Sequence, residues 1–177
     1  GARHLAGSPN LSRLAVLALS FNGLGDAGLE ALAVSEHLQQ LARLELSYNQ
    51  IGDAGSTALA NGRDLGSLRH CNLSDNQIGE VGAAALAEST RLPAVEWLNL
   101  GRNKIGDVGA RALAHSPGLP RLTSLYLNGN AITDTGGEAF LRCDSLPLRL
   151  GLELYDNQLS PQMEERLRQL WGRSISL

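Results

Sequence analysis

The chain is poor in aromatic and sulfur-bearing residues: 177 residues include two Trp, three Tyr, two Phe, two Cys and one Met. An ordinary core draws on aromatic bulk, so this one must be filled by a different packing solution. Cys71 and Cys143 are too few and too far apart to form a disulfide framework. No apolar run reaches the length of a transmembrane helix, and no secretory leader is visible. Together with the scarcity of cysteine, this points to a cytoplasmic setting. Fifteen basic and 18 acidic residues leave a formal charge of −3 without a basic cluster. Neither a nucleic-acid backbone nor an anionic membrane is therefore a favoured partner.

What is abundant is leucine, alanine and 20 glycines, and they recur with a fixed period. Asn22, Asn49, Asn76, Asn103, Asn130 and Asn157 are spaced by 27 residues. Leu19, Leu46, Leu73, Leu100, Leu127 and Leu154 precede them in the same register, and Leu17, Leu44, Cys71, Leu98, Leu125 and Leu152 form a second column. A third column runs Leu14, Leu41, Leu68, Val95 and Leu122, with Arg149 as the exception.

Each unit reads LxxLxLxxN, then xIGDxG, then a helix of small residues ending in ALA. The alternating leucines put one face of a short strand into the core. Asp26, Asp53, Asp107 and Asp134, with Glu80 as a variant, stand at helix starts and suit the capping of orphan backbone donors there. Gly55, Gly82, Gly109 and Gly136 suggest a close approach of the helix to the strand layer. Strand, turn, helix and return predict one α/β fold: a right-handed solenoid or horseshoe, with a parallel β-sheet on the concave side and α-helices on the convex side. The whole chain, 1–177, forms a single domain in this reading. Residues 1–13 are a partial first repeat, 14–159 the 27-residue repeats, and 160–177 a capping helix and tail.

The motif LxxLxLxxN, with IGDxGAxALA after it, resembles the leucine-rich repeats of the ribonuclease-inhibitor-like subclass, including bacterial members. The resemblance covers essentially the whole chain. It implies a horseshoe that offers its concave strands to a protein partner. It also brings two narrower possibilities: a regulator, activating or inhibiting a GTPase or another enzyme, or a substrate-recruiting domain of a bacterial effector.

The asparagine column reads as structural, since a side-chain amide after each strand can satisfy turn and neighbouring-coil backbone groups. One aspartate per coil lacks the closely spaced acids of a calcium repeat, so no metal is expected. His70 and Cys71 are adjacent, but strand alternation sends Cys71 inward and His70 outward, which excludes a nucleophile–base pair. No catalytic set, phosphate loop or cofactor motif appears, and the chain reads as a non-enzyme without cofactors.

The variable strand positions carry the functional expectation. The candidate partner-binding residues are Arg43, Tyr48, His70, Trp97, Asn99, Arg102, Tyr126, Asn128, Glu153 and Tyr155. Trp97, Tyr126 and Tyr155 fall on consecutive coils and step diagonally across the sheet. Exposed aromatics and arginines on a rigid sheet have the composition of interface hot spots. At the other end, residues 1–14 align with 109–122, so the chain opens halfway through a repeat and resembles a fragment of a longer array. An uncapped first strand, with Val16, Leu17 and Phe21 near it, predicts end-to-end self-association.

Overall fold

The computed structural model describes residues 1–143, 146 and 150–177; the exceptional Arg149 lies outside them. Seven strands form one parallel sheet in chain order. They are β1 (Val16–Ala18), β2 (Arg43–Glu45), β3 (His70–Asn72), β4 (Trp97–Asn99), β5 (Ser124–Tyr126), β6 (Gly151–Glu153) and β7 (Ile175–Ser176). The helix α1 (Ala2–Ala6) precedes β1, and between the strands run α2 (Gly25–Ala33), α3 (Asp53–Asn61), α4 (Glu80–Glu88), α5 (Gly106–Ala114), α6 (Asp134–Leu141) and α7 (Pro161–Trp171). The register from β1 to β6 follows the 27-residue period without a slip, as in Leu44↔Cys71 and Leu98↔Leu125. The chain is a solenoid with strands on its concave side and helices on its convex side.

Periodicity becomes packing because each apolar column meets itself in the next coil. Leu41, Leu44, Leu46 and Ile51 of the second coil are almost fully buried, as are their equivalents through Leu127 and Ile132. Burying such a side chain contributes roughly 1.5–3 kcal/mol. The inner helix column runs Leu32, Leu59, Leu86, Leu113, Phe140 and Leu167. It therefore continues in phase into α7. Met163, Leu167 and Trp171 of that helix are buried, and the Trp171 indole donates to the Phe140 carbonyl at 3.2 Å. Leu170 of the same helix is 43% exposed. After α7, the chain returns early and adds β7 beside β6, pairing Ile175 with Leu152.

Three polar columns tie the coils together. In the first, the asparagine amides from Asn49 to Asn157 donate within their own turns and to the coil before; Asn76 Nδ2 reaches Leu73, Ser74 and Leu46 carbonyls at 2.9–3.0 Å. Its Oδ1 accepts from the backbone N–H groups of Asn49 and Ile51. The second corrects an expectation: the aspartates cap the helix of the following coil, not their own. Asp53 Oδ1 accepts from Gly79 and Gly82 at 2.7 and 2.9 Å, and Asp26 and Asp107 do the same one coil earlier and two coils later. The column of glycines follows from this contact rather than from the strand layer. A Cβ on Gly82 would lie 2.7 Å from Asp53 Oδ1 and 2.1 Å from Ser56 Oγ, both in the preceding helix.

The third column lies at the other helix ends. Buried Ser35, Ser89 and Ser116 donate to the carbonyls of Ala6, Ala60 and Ala87 in the preceding coil, at 2.6–2.7 Å. Gly62 takes this place in the second coil, where a Cβ would meet the Ala33 carbonyl at 2.5 Å.

Candidate partner-binding face

Strand alternation sends positions three, five and seven of each unit to the concave face, and the structure assembles part of that set into one continuous stack. His70 and Trp97 occupy position three of adjacent strands. Their rings lie 3.8 Å apart at 6°, and Trp97 then meets Tyr126 at 4.8 Å in a tilted arrangement. Such contacts stabilise by about 0.5–1.5 kcal/mol beyond the area they bury. The stack crosses three coils and is half-buried, so its orientation is set before any partner arrives.

Glu45 supports the stack from the second coil. Its carboxylate lies 2.7 Å from Arg43 Nε and 2.9 Å from His70 Nε2, and it accepts from Asn72 Nδ2 at 2.8 Å. Burial lowers the His70 pKa and Arg43 lowers it further, against the opposing pull of Glu45. The imidazole is thus neutral at neutral pH and donates to Glu45 from Nε2. The exposed face of the stack is correspondingly aromatic rather than cationic. Cys71 lies behind it, fully buried, with its pKa pushed up to about 12 by burial.

The remaining candidates divide by position. Tyr126, Glu153, Tyr155, Asn99 and Arg102 line one groove of about 310 Å³, together with Asp75. Asn128 also reaches this groove but is 8% exposed, with its Oδ1 packed across Gly101. Tyr48 stands apart from the stack. It pairs with Phe21, rings 4.3 Å apart at 11°, at the first edge of the sheet. Phe21, Glu45, Asn72 and Asp75 were outside the sequence-derived set, although each lies 27 residues from a member of it or on the same strand face.

Position eight has a backbone property that side-chain pattern did not reveal. Phe21, Tyr48, Asp75, Arg102, Gly129 and Asp156 are all left-handed, with φ between 53° and 65°. For a residue with a Cβ this costs roughly 1–2 kcal/mol. The conformation is held by inter-coil bonds, since Arg102 N–H donates to the Asn128 carbonyl at 2.7 Å and Phe21 N–H to Ser47 at 3.0 Å. It turns these side chains out along one rim of the concave face.

Two sequence profiles, both described as leucine-rich repeat, match the chain at residues 67–132 and at residues 14–33 and 37–60. The chain is a leucine-rich-repeat protein. No curated protein sequence matches it. Among solved structures, this leucine-rich-repeat chain is similar to the internalin inlF of Listeria monocytogenes, with 22% identity and a TM-score of 0.57. The match covers 90% of this chain and 47% of that one, so the chain spans about half the internalin's length. Internalin C2 of the same bacterium matches at 23% identity and a TM-score of 0.43, covering 89% of this chain and 79% of its own. These likenesses concern the fold. Among the described residues, no cluster of His, Cys, Asp or Glu is arranged to hold a metal ion, and no helix is long and apolar enough to cross a membrane.

Proposed function

We propose that this leucine-rich-repeat chain is a protein-recognition module that grips its partner on the concave sheet, with His70, Trp97 and Tyr126 as the central anchor. The observation that carries this reading is the stack itself: Trp97 and two of its neighbours are ordered against one another on a sheet face that the leucine core does not need. Aromatic surface already held in place loses little side-chain entropy on binding. Arg43, Asn99, Arg102, Glu153 and Tyr155 supply a polar surround. The nine-residue α-helices of the convex side support placement in the ribonuclease-inhibitor-like subclass.

The test is affinity capture with wild type, with Trp97→Ala/Tyr126→Ala, and with a convex control, Val81→Ser/Val108→Ser. Both valines are exposed on the outer helices. A partner captured by wild type and control should bind the concave variant at least about 2 kcal/mol more weakly. Loss on the convex variant, with the concave variant unaffected, would move the binding face to the helices.

A further inference from the structure

The position-three column that carries His70 and Trp97 falls to Ser124 and then to Gly151, which has no side chain. Removing that bulk opens a hollow of about 300 Å³ beside Tyr126 and Glu153, floored by the strand and closed at its far side by Ile175 and Arg173. The groove of about 310 Å³ already described adjoins it, and Tyr126 and Glu153 line both. Glu153 is therefore the carboxylate on the partition, directly paired with Tyr126 in register and two residues before Tyr155.

Two position-five glutamates allow a comparison within one chain. Glu45 is saturated by Arg43, His70 and Asn72. The Glu153 carboxylate takes part in no hydrogen bond or ion pair with any described residue, although the backbone carbonyl of Glu153 accepts from Leu127 N–H at 2.9 Å. It is nevertheless half-buried, and that burial raises its pKa. Arg173, which lines the same hollow, forms no ion pair with it. A carboxylate partly removed from water, left open and flanked by aromatic rings is complementary to a cation, which gains a charge-assisted hydrogen bond and a cation–π contact together. An acidic guest would face Glu153 with Asp75 in the adjoining groove, and a neutral one would bury the carboxylate uncompensated.

We infer that Tyr126, Glu153 and Tyr155 form a slot for one arginine or lysine side chain of the protein partner. This rests on the concave-face reading and adds the chemistry of what that face selects. Arg173 lines the far side of the hollow, so the cationic head is placed on the Tyr155 side of Glu153, away from that guanidinium.

The experiment uses capped peptides Gly-Leu-X-Leu-Gly, with X as Arg, Lys, Gln or Glu, titrated into the isotope-labelled chain and followed by backbone amide shifts. Arg and Lys peptides should shift Tyr126, Glu153 and Ser174–Ser176 amides, and bind about tenfold or more tightly than the Gln peptide. Glu153→Gln should erase that preference without lowering the thermal melt. Equal binding by all four peptides, retention of the preference in Glu153→Gln, or no shift at these amides would each overturn the slot. The two readings separate in the same data. Shifts at His70 and Trp97 without charge preference would keep the concave face and discard the slot, whereas shifts confined to the convex helices would discard both.

Discussion

Gly106 adopts φ +59° directly above Glu80, the one acidic residue of its column that is not an aspartate. Its N–H donates to the Asn130 carbonyl at 3.0 Å instead of to a carboxylate in the coil before. At the same position, Gly52, Gly79, Thr133 and Ser160 follow an aspartate, donate to it at 2.6–2.7 Å, and have negative φ. The carboxylate therefore selects the backbone state. The longer glutamate does not reach the amide, so the chain flips to a second acceptor and needs glycine to do so.

This makes a coupled prediction. Gly106→Ala alone should destabilise the fold by about 1–2 kcal/mol, the cost of a left-handed alanine. With Glu80→Asp in place, the amide regains its carboxylate, the backbone extends, and the alanine penalty should shrink. Urea unfolding of the two single variants and the double variant measures this as an interaction free energy. Strict additivity would refute the carboxylate as the selector.

Acid should loosen the C-terminal helix first. The Ser160 backbone N–H, and then its hydroxyl, hold Asp134 below its ordinary pKa of 3.8, and Arg166 adds to this. Arg166 chiefly, with Arg142, holds Glu138 below 4.5. Depressed folded values mean that the folded chain binds fewer protons than the unfolded one in acid, so stability falls as pH drops through them. Glu153 has the opposite sign, since its raised pKa favours the folded state once it is protonated, and it partly offsets the loss. Asp134→Asn/Glu138→Gln should flatten the fall in melting temperature below about pH 4.5. Hydrogen exchange should locate the remaining loss outside Pro161–Trp171.

The two thiols should differ sharply in reactivity. Cys71 is fully buried, and that burial pushes its pKa up to about 12, so its thiolate is scarce near neutral pH. Cys143 is only partly buried. A thiol reagent followed by mass spectrometry should label Cys143 in the native chain and Cys71 only on unfolding. Cys71→Leu restores the residue type of its column and should leave the melt nearly unchanged. Rapid native labelling of Cys71 would contradict its inward register.

Much of this was legible because a two-residue strand alternation fixes side-chain direction and a 27-residue period fixes neighbours. The inward place of Cys71 and the outward place of His70 follow from the first rule. The contacts His70–Trp97 and Phe21–Tyr48 follow from the second, as each pair is 27 residues apart. What spacing does not contain is the setting of one helix against the next. Whether Asp53 reaches its own helix or Gly79 and Gly82 depends on that offset, and so the inter-coil cap was not foreseen. The left-handed rim was hidden for a related reason, since Phe21, Tyr48 and Arg102 are residue types that seldom mark a positive φ. The strand Ile175–Ser176 is too short to show any alternation.

The first edge of the sheet should make the chain self-associate. β1 pairs only with β2, so one row of its backbone groups has no strand partner among the described residues. Around that row, Val16 is 53% exposed, Phe21 72% and Tyr48 45%, and the first-coil leucines Leu14 and Leu19 are less buried than their equivalents in later coils. Farther along the rim, position eight becomes Asp75, Arg102 and Asp156, so the apolar character is confined to this end. An open strand edge flanked by apolar side chains favours pairing with another chain, and a lysine on such an edge opposes it. Val16→Lys/Phe21→Ser should therefore lower the sedimentation coefficient at high protein concentration and preserve the melting curve, because neither side chain belongs to the buried core. Charge alone is controlled by Ala54→Lys on the exposed convex side, which should leave association intact. A wild-type chain that sediments as a monomer at every concentration, or an edge variant that associates as strongly as wild type, would show that the exposed pair Phe21–Tyr48 does not drive contact between copies.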